Sequence, residues 1–432
     1  MGLQRVLTVG VAMSVVAALG LTGCSSDSSD DTSSSSGPLT VWLMNGSAPD
    51  KLISDLNAEF EQAHPGMKVD YQVQQWDGIQ DKLTTALASN NPPDIVELGN
   101  TQAPKFVAAG ALANLDDKLA TLGADHWLPG LAATGVSDGK TFATPFYGAN
   151  RVVIYRKDLF QAAGITSDPK SMADLIEAGK KMQTANAADK DFQALYLPGQ
   201  SWYTLLSFIW AEGGEVATKS GKTWKGAVNT PEAQAGFTDY ANLYKALSKA
   251  PADADEANPQ QAGVFAKGHV GMFIGLPWEI GTATDAKTGN PALKDKIGTF
   301  AIPSPKGGPA PVFLGGSNLG VSAGSKHSKQ AADWLKLMLS EKYQRQLAAG
   351  GVVPALNNLG DSVYGDNTAA KTMAAAATAG GKVTPADKAW AAVEAGSNPL
   401  KDAMTSVLRG TDVAAATKQA AEAITTIMAT AG

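Results

Sequence analysis

Apolar positions along the chain switch between a period of two and a period near 3.6. Leu39, Val41 and Leu43 alternate with Thr40, Trp42 and Met44, the pattern of a strand with two faces. Leu52, Ile53, Leu56 and Phe60 then fall on one helical stripe, with Ser47 placed to cap that helix and Pro49 in its first turn. His64-Pro65-Gly66 stops it. Residues 69–73 form a second strand, 78–88 a helix that Pro92-Pro93 follows, and 94–98 a third strand. Strand, helix, strand, helix, strand predicts an open parallel sheet covered by helices. Such sheets bind ligands at the carboxyl ends of their strands, here Asn45-Gly46, Trp76-Asp77 and Asn100-Thr101. The alternation continues. Strands are predicted at 152–155, 270–275 and within 313–322, helices at 171–184 and 202–211, and one long amphipathic helix at 329–347. From Ala386 onward the pattern is helical, interrupted at Asn398-Pro399 and Gly410.

The N-terminus has a different character. Arg5 precedes an uncharged apolar stretch from Val6 to Leu21, the form of a secretory signal and short for a membrane span of about 20 residues. Leu21-Thr22-Gly23-Cys24 resembles a bacterial lipobox, and Cys24 is the only cysteine in the chain. That resemblance implies a lipoprotein signal peptide over residues 1–24, lipidation of Cys24, and a membrane anchor on the outer face of the cytoplasmic membrane. Residues 25–37 carry no apolar side chain, which predicts a disordered tether.

Composition narrows the function. The 432 residues exceed one ordinary core and predict two lobes. A net charge of −6 without a basic run argues against a nucleic-acid partner. One cysteine and four scattered histidines predict no metal site. Two enzyme motifs fail on inspection. Gly320-Val321-Ser322-Ala323-Gly324 has the elbow spacing, but the only later histidine, His327, sits too close in the chain to follow an acid. Gly221-Lys222-Thr223 ends like a P-loop, but Val216 replaces its first glycine. A pair of hydrolytic carboxylates converges only in three dimensions, so a secreted glycoside hydrolase stays open.

Five ordered blocks then carry a resemblance. Residues 59–69 (EFEQAHPGMKV), 93–100 (PDIVELGN), 155–164 (YRKDLFQAAG), 265–278 (FAKGHVGMFIGLPW) and 315–335, from Gly315-Gly316-Ser317-Asn318 to Ala331-Ala332-Asp333-Trp334-Leu335, resemble the extracellular solute-binding proteins of ABC importers, the sugar-binding family 1. They span about 300 residues in order. The resemblance implies an α/β, two-lobed periplasmic-binding-protein-like fold of type II. Each lobe is then a mainly parallel sheet flanked by helices, with a hinge crossed more than once. Lobe 1 takes residues 38–145 and 303–350, and lobe 2 takes 146–302 and 351–432. It also implies a monomer without a cofactor or catalytic residues. The monomer captures a carbohydrate in a closing cleft and docks on ABC permease transmembrane subunits. Arg156 stands where the family's segment has Asn. Residues 96–101 and Arg151 are similar to actinobacterial proteins for N-acetylglucosamine or chitobiose. Maltose-, cellobiose- and trehalose-type ligands, and a peptide or polyamine on the same fold, stay open.

A pyranose has an apolar face for an aromatic ring and a rim of hydroxyls for amides and carboxylates. The candidates are Asn45, Trp76, Asp77, Asn100, Thr101, Tyr147, Asn150, Trp202, Trp278, Glu279, Gly316, Ser317, Asn318 and Trp390. The resemblance to maltose-binding protein puts Trp278 and Trp390 on the sugar. Each also has a structural reading. Trp278 and Trp390 can be core, and Trp202 lies in a helix apolar all round. Asn45 and Asn100 can close turns, and Asp77 can cap the helix that follows.

Overall fold

The computed structural model describes residues 37–431; the signal segment, Cys24 and the tether up to residue 36 lie outside them. Ten strands build two sheets: β1 (Leu39–Met44), β2 (Val69–Gln74), β3 (Ile95–Gly99), β4 (Ala143–Ala149), β5 (Val152–Arg156), β6 (Gln193–Tyr196), β7 (Val270–Gly275), β8 (Ile297–Phe300), β9 (Gly315–Val321) and β10 (Val353–Pro354). The first lobe holds a six-stranded sheet in the order β10-β4-β9-β3-β1-β2. The second holds a four-stranded sheet in the order β8-β5-β7-β6.

The period of two in β1 has a direct consequence. Leu39, Val41 and Leu43 point into one core, against Leu52, Ile53, Leu56 and Phe60 of the Asp50–Ala63 helix. Trp42 and Met44 point to the opposite core with Val96, Leu98 and Ile79. Both faces of this sheet are therefore covered, as parallel strands require. The β1–β2 and β1–β3 pairs are parallel. The remaining pairs are not: β9 runs antiparallel to β3 and β4, and β10 to β4. In the second sheet β7 pairs parallel with β6, while β5 is antiparallel to both β7 and β8. Both sheets are thus mixed, because strands returning from the other lobe enter with reversed direction.

The chain passes between the sheets three times. Asn150 and Arg151 join β4 to β5. The second passage ends at Leu314, where β9 begins, and the third follows β10. The latter two meet in a short parallel ribbon, Val312↔Gly381 and Phe313↔Lys382. Three boundaries differ from expectation. Phe146 and Tyr147 belong to β4 and the first core, Ala310, Val312 and Phe313 pack in the second core, and Val353–Pro354 pairs with the first sheet. The hydrophobic pattern is the same on either side of a crossing, so it does not mark where one occurs.

Three local expectations also change. The predicted helix over 329–347 is two helices, Ser328–Met338 and Glu341–Ala349. Extended Ser340 re-aims the second so that Tyr343 and Leu347 stay in the core. Gln344 there donates to the Phe146 carbonyl at 3.3 Å and accepts from the Ala355 N–H at 2.7 Å. Ser47 does not cap the first helix, which starts behind Pro49 without a side-chain cap. Its hydroxyl instead donates to buried Glu97 at 2.7 Å. Ser322 is buried and its hydroxyl donates to the Pro93 carbonyl, which removes it as a nucleophile.

Candidate functional site

Between the lobes lies a cavity of about 360 Å³, with walls from both. Trp76, Asn100, Thr101, Gln102 and Gly316 come from the first lobe; Arg151, Tyr203, Leu276, Trp278 and Glu394 come from the second. The strand-end rule therefore places the first lobe's contribution correctly, since Trp76 follows β2 and Asn100-Thr101 follow β3.

Two tryptophans are available as platforms. Trp76 is 42% exposed and Trp278 is 43% exposed, in a protein whose other large apolar side chains are mostly buried. Trp76 rests against Gly99, where an added Cβ would stand 3.4 Å from the indole. Gly78 then takes φ +68°, which turns the chain sharply into the Ile79–Leu87 helix. That helix has no side-chain cap, so Asp77 is left exposed beside Trp76 rather than spent on a cap. Trp278 is carried on the turn after β7. Glu279 fixes that turn by accepting from the Leu276 N–H at 2.8 Å and from Gln261 at 2.9 Å. Burial pushes the Glu279 carboxyl up to about 7. Glu279 thus holds the Trp278 turn in place and is not among the residues that line the cavity.

Polar groups ring the space between the indoles. Arg151, at the first crossing, pairs with Glu256 through Nε at 2.8 Å and also through Nη2. Its guanidinium lies 4.6 Å from the Tyr203 ring centre, and Tyr203 in turn stacks on Phe313 at 4.6 Å. Thr101 donates to Glu394 at 2.8 Å, one residue from each lobe. Burial pushes the Glu394 carboxyl up to about 7. The Gln102 side-chain oxygen is buried without a hydrogen-bond partner.

Other sequence candidates serve the scaffold. Trp390 is fully buried in the second core, and its indole N–H donates to Glu394 at 2.7 Å. Trp202 is 5% exposed and packs on Tyr203. Neither indole faces the cavity. Asn100 lines it but spends its amide on the Leu314 carbonyl at 2.9 Å. Tyr147 also lines it, with its hydroxyl 3.2 Å from Ser47 and 3.5 Å from Glu97 behind the wall. Asn318 bonds Leu131 and Thr134 inside the first lobe. Gly316 at φ +134° approaches the Tyr147 carbonyl so closely that an added Cβ would stand 2.1 Å from it. Ser317 is buried beside it. Asn150 is buried at the crossing with its side-chain oxygen unpartnered. Asn45 is exposed at the end of β1, outside the cavity lining.

The sequence left out Tyr203, Phe313, Gln102 and Glu394 as site residues, and named Arg151 only through its likeness to chitobiose-type proteins. One signal was present: Glu394 lies four residues after Trp390, one helical turn away and on the same face.

A cleft between two α/β lobes, with a thrice-crossed hinge, is matched by a known family. The profile described as bacterial extracellular solute-binding protein covers residues 45–345. The chain belongs to that family. Among solute-binding relatives, the diacetylchitobiose binding protein DasA of Streptomyces coelicolor is 42% identical over 424 residues, 94% of this chain and 96% of that protein. The GacH receptor of Streptomyces glaucescens, solved unliganded and with acarbose, has a TM-score of 0.76 at 26% identity, over 91% of this chain and 99% of that one. The sugar-binding protein MalE from Xanthomonas citri has a TM-score of 0.76 at 22% identity, over 91% and 98% of the two chains, a likeness of fold. Among the described residues of this solute-binding protein, no helix is long and apolar enough to cross a membrane.

Proposed function

We propose that this solute-binding protein captures a short, uncharged oligosaccharide between Trp76 and Trp278 and hands it unchanged to an ABC permease. The observation that carries this reading is the pair of half-exposed indoles, one from each lobe, on a polar interlobe cavity. Each ring covers an apolar sugar face. The Thr101 hydroxyl, the Gln102 amide, the Arg151 guanidinium and the Glu394 carboxyl are at hand for the hydroxyl rim. The likeness to DasA favours an N-acetylglucosamine disaccharide, whose acetamido groups add one donor and one acceptor per ring.

Closure follows from differential contact. A ligand that touches both walls gains its full set of interactions only when the lobes are together, so it shifts the population toward the shut form. Lipidation at Cys24 and a short tether keep the lobes near the membrane, where the shut form docks on the permease. No nucleophile or acid pair is needed for capture and release, and the elbow serine is already committed to a carbonyl.

Intrinsic tryptophan fluorescence tests the reading. Titration with N,N′-diacetylchitobiose is expected to perturb emission saturably, with no new reducing ends appearing on long incubation. Sugar breakdown would make it a hydrolase. Saturable binding of peptides or polyamines, with no response to any saccharide, would move the ligand to another class.

A further inference from the structure

The cavity between the indoles is not closed at Trp76. A second chamber of about 610 Å³ lies beyond it, between the residues after β2 and the segment 388–396 of the other lobe. Trp76, Gln102 and Glu394 line both spaces, so they form a threshold rather than an end wall. The outer chamber brings four further charged side chains, Asp77 and Asp81 against Lys105 and Lys388. None of the four has an ion-pair or side-chain hydrogen-bond partner among the described residues. Their charges balance, which suits a neutral ligand rich in hydroxyls better than an ionic one. The buried, unpartnered Gln102 oxygen sits on the threshold, a group that carries a desolvation cost until a ligand donor meets it.

We propose that the binding site runs on past Trp76 into this outer chamber, so that the protein accepts uncharged oligosaccharides longer than a disaccharide, with the inner cavity holding the first rings and the outer chamber the rest. The inference rests on the carbohydrate reading above and adds chain length to it. Trp76, open to both spaces, then serves rings on either side of the threshold, while Asp77, Asp81, Lys105 and Lys388 exchange water for sugar hydroxyls.

Calorimetric titration with N-acetylglucosamine oligomers of β-1,4 linkage, dimer against tetramer, tests it. The variant is Ala392→Trp, which fills the outer chamber from a partly exposed position and touches nothing in the inner one. Lys388→Ala provides a milder second variant. In the unaltered protein the tetramer is expected to bind within about tenfold of the dimer. In Ala392→Trp the tetramer is expected to weaken at least about tenfold while the dimer stays within about threefold. Lys388→Ala is expected to follow the same direction, with the dimer again unmoved. Dimer binding doubles as the check that each variant folds. A wild-type protein that binds the dimer but rejects the tetramer overturns the second chamber and leaves the carbohydrate reading standing. Equal losses for dimer and tetramer in both variants do the same. A wild-type protein that binds neither oligomer overturns both.

Discussion

The Thr101 hydroxyl donates to the Glu394 carboxylate at 2.8 Å, and the two residues belong to different lobes. Glu394 also receives the Trp390 indole N–H, so one carboxyl links the first lobe's strand-end loop to the second lobe's core. This contact spans the two lobes on the cavity wall. Thr101→Val keeps the shape and removes the donor. The variant is expected to be more open without ligand, with a larger radius of gyration in solution scattering, and to return to the wild-type value when saturated with sugar. An unchanged radius in the unliganded variant would mean that the bond does not restrain the lobes.

The four tryptophans nearest the cleft are expected to divide into two classes. Trp76→Ala and Trp278→Ala remove exposed platforms and should each weaken ligand binding at least about tenfold, or about 1.4 kcal/mol, with little change in melting temperature. Trp390→Ala and Trp202→Ala hollow out the second core and should cost about 3–5 kcal/mol of stability. Thermal melts and titrations on all four variants check the division. A stable Trp390→Ala protein that has lost binding alone would return Trp390 to the ligand.

Charge at the first crossing has a structural role. Arg151 and Glu256 are both mostly buried and bonded through two guanidinium nitrogens. Glu256→Ala leaves the guanidinium unpaired against Tyr203 and should cost about 3 kcal/mol in chemical denaturation. Glu256→Gln, which keeps an acceptor, should cost less. Equal losses would assign the effect to packing.

Three carboxyls, Glu97, Glu279 and Glu394, are pushed up to about 7 by burial. Between about pH 4.5 and about 7 each keeps a proton in the folded protein that the unfolded chain has released. Stability is therefore complete below that window and declines as pH rises through it. Melting temperature is expected to fall from pH 5 to pH 8, and Glu394→Gln, neutral throughout, should flatten the decline. A melting temperature that rises over this range would contradict the assignment.

Much of this was legible in the chain. The first three strands and their ends follow from alternation in β1 and the stops at Pro65-Gly66 and Pro92-Pro93. The half-exposed Trp76 and Trp278 were readable because each lies shortly after a strand end, at Gln74 and Gly275. Other residues were hidden for physical reasons. Tyr203 lies in a helix whose eight buried neighbours mask the one side chain that turns toward the cavity. Trp390 and Trp278 look alike in sequence, and only packing decides that the first is core. The antiparallel pairings of β5, β8, β9 and β10 depend on where the chain crosses between lobes, which no local pattern encodes.

Two halves holding one sugar between Trp76 and Trp278 is the claim on which the rest depends. Isothermal titration of N,N′-diacetylchitobiose into the protein and into a Trp76→Ala/Trp278→Ala double variant tests it most directly. The account predicts one-to-one binding near ~1 µM, about −8 kcal/mol, in the unaltered protein. It predicts no measurable heat in a double variant that still melts at the native temperature. Undiminished affinity in that folded double variant would contradict it.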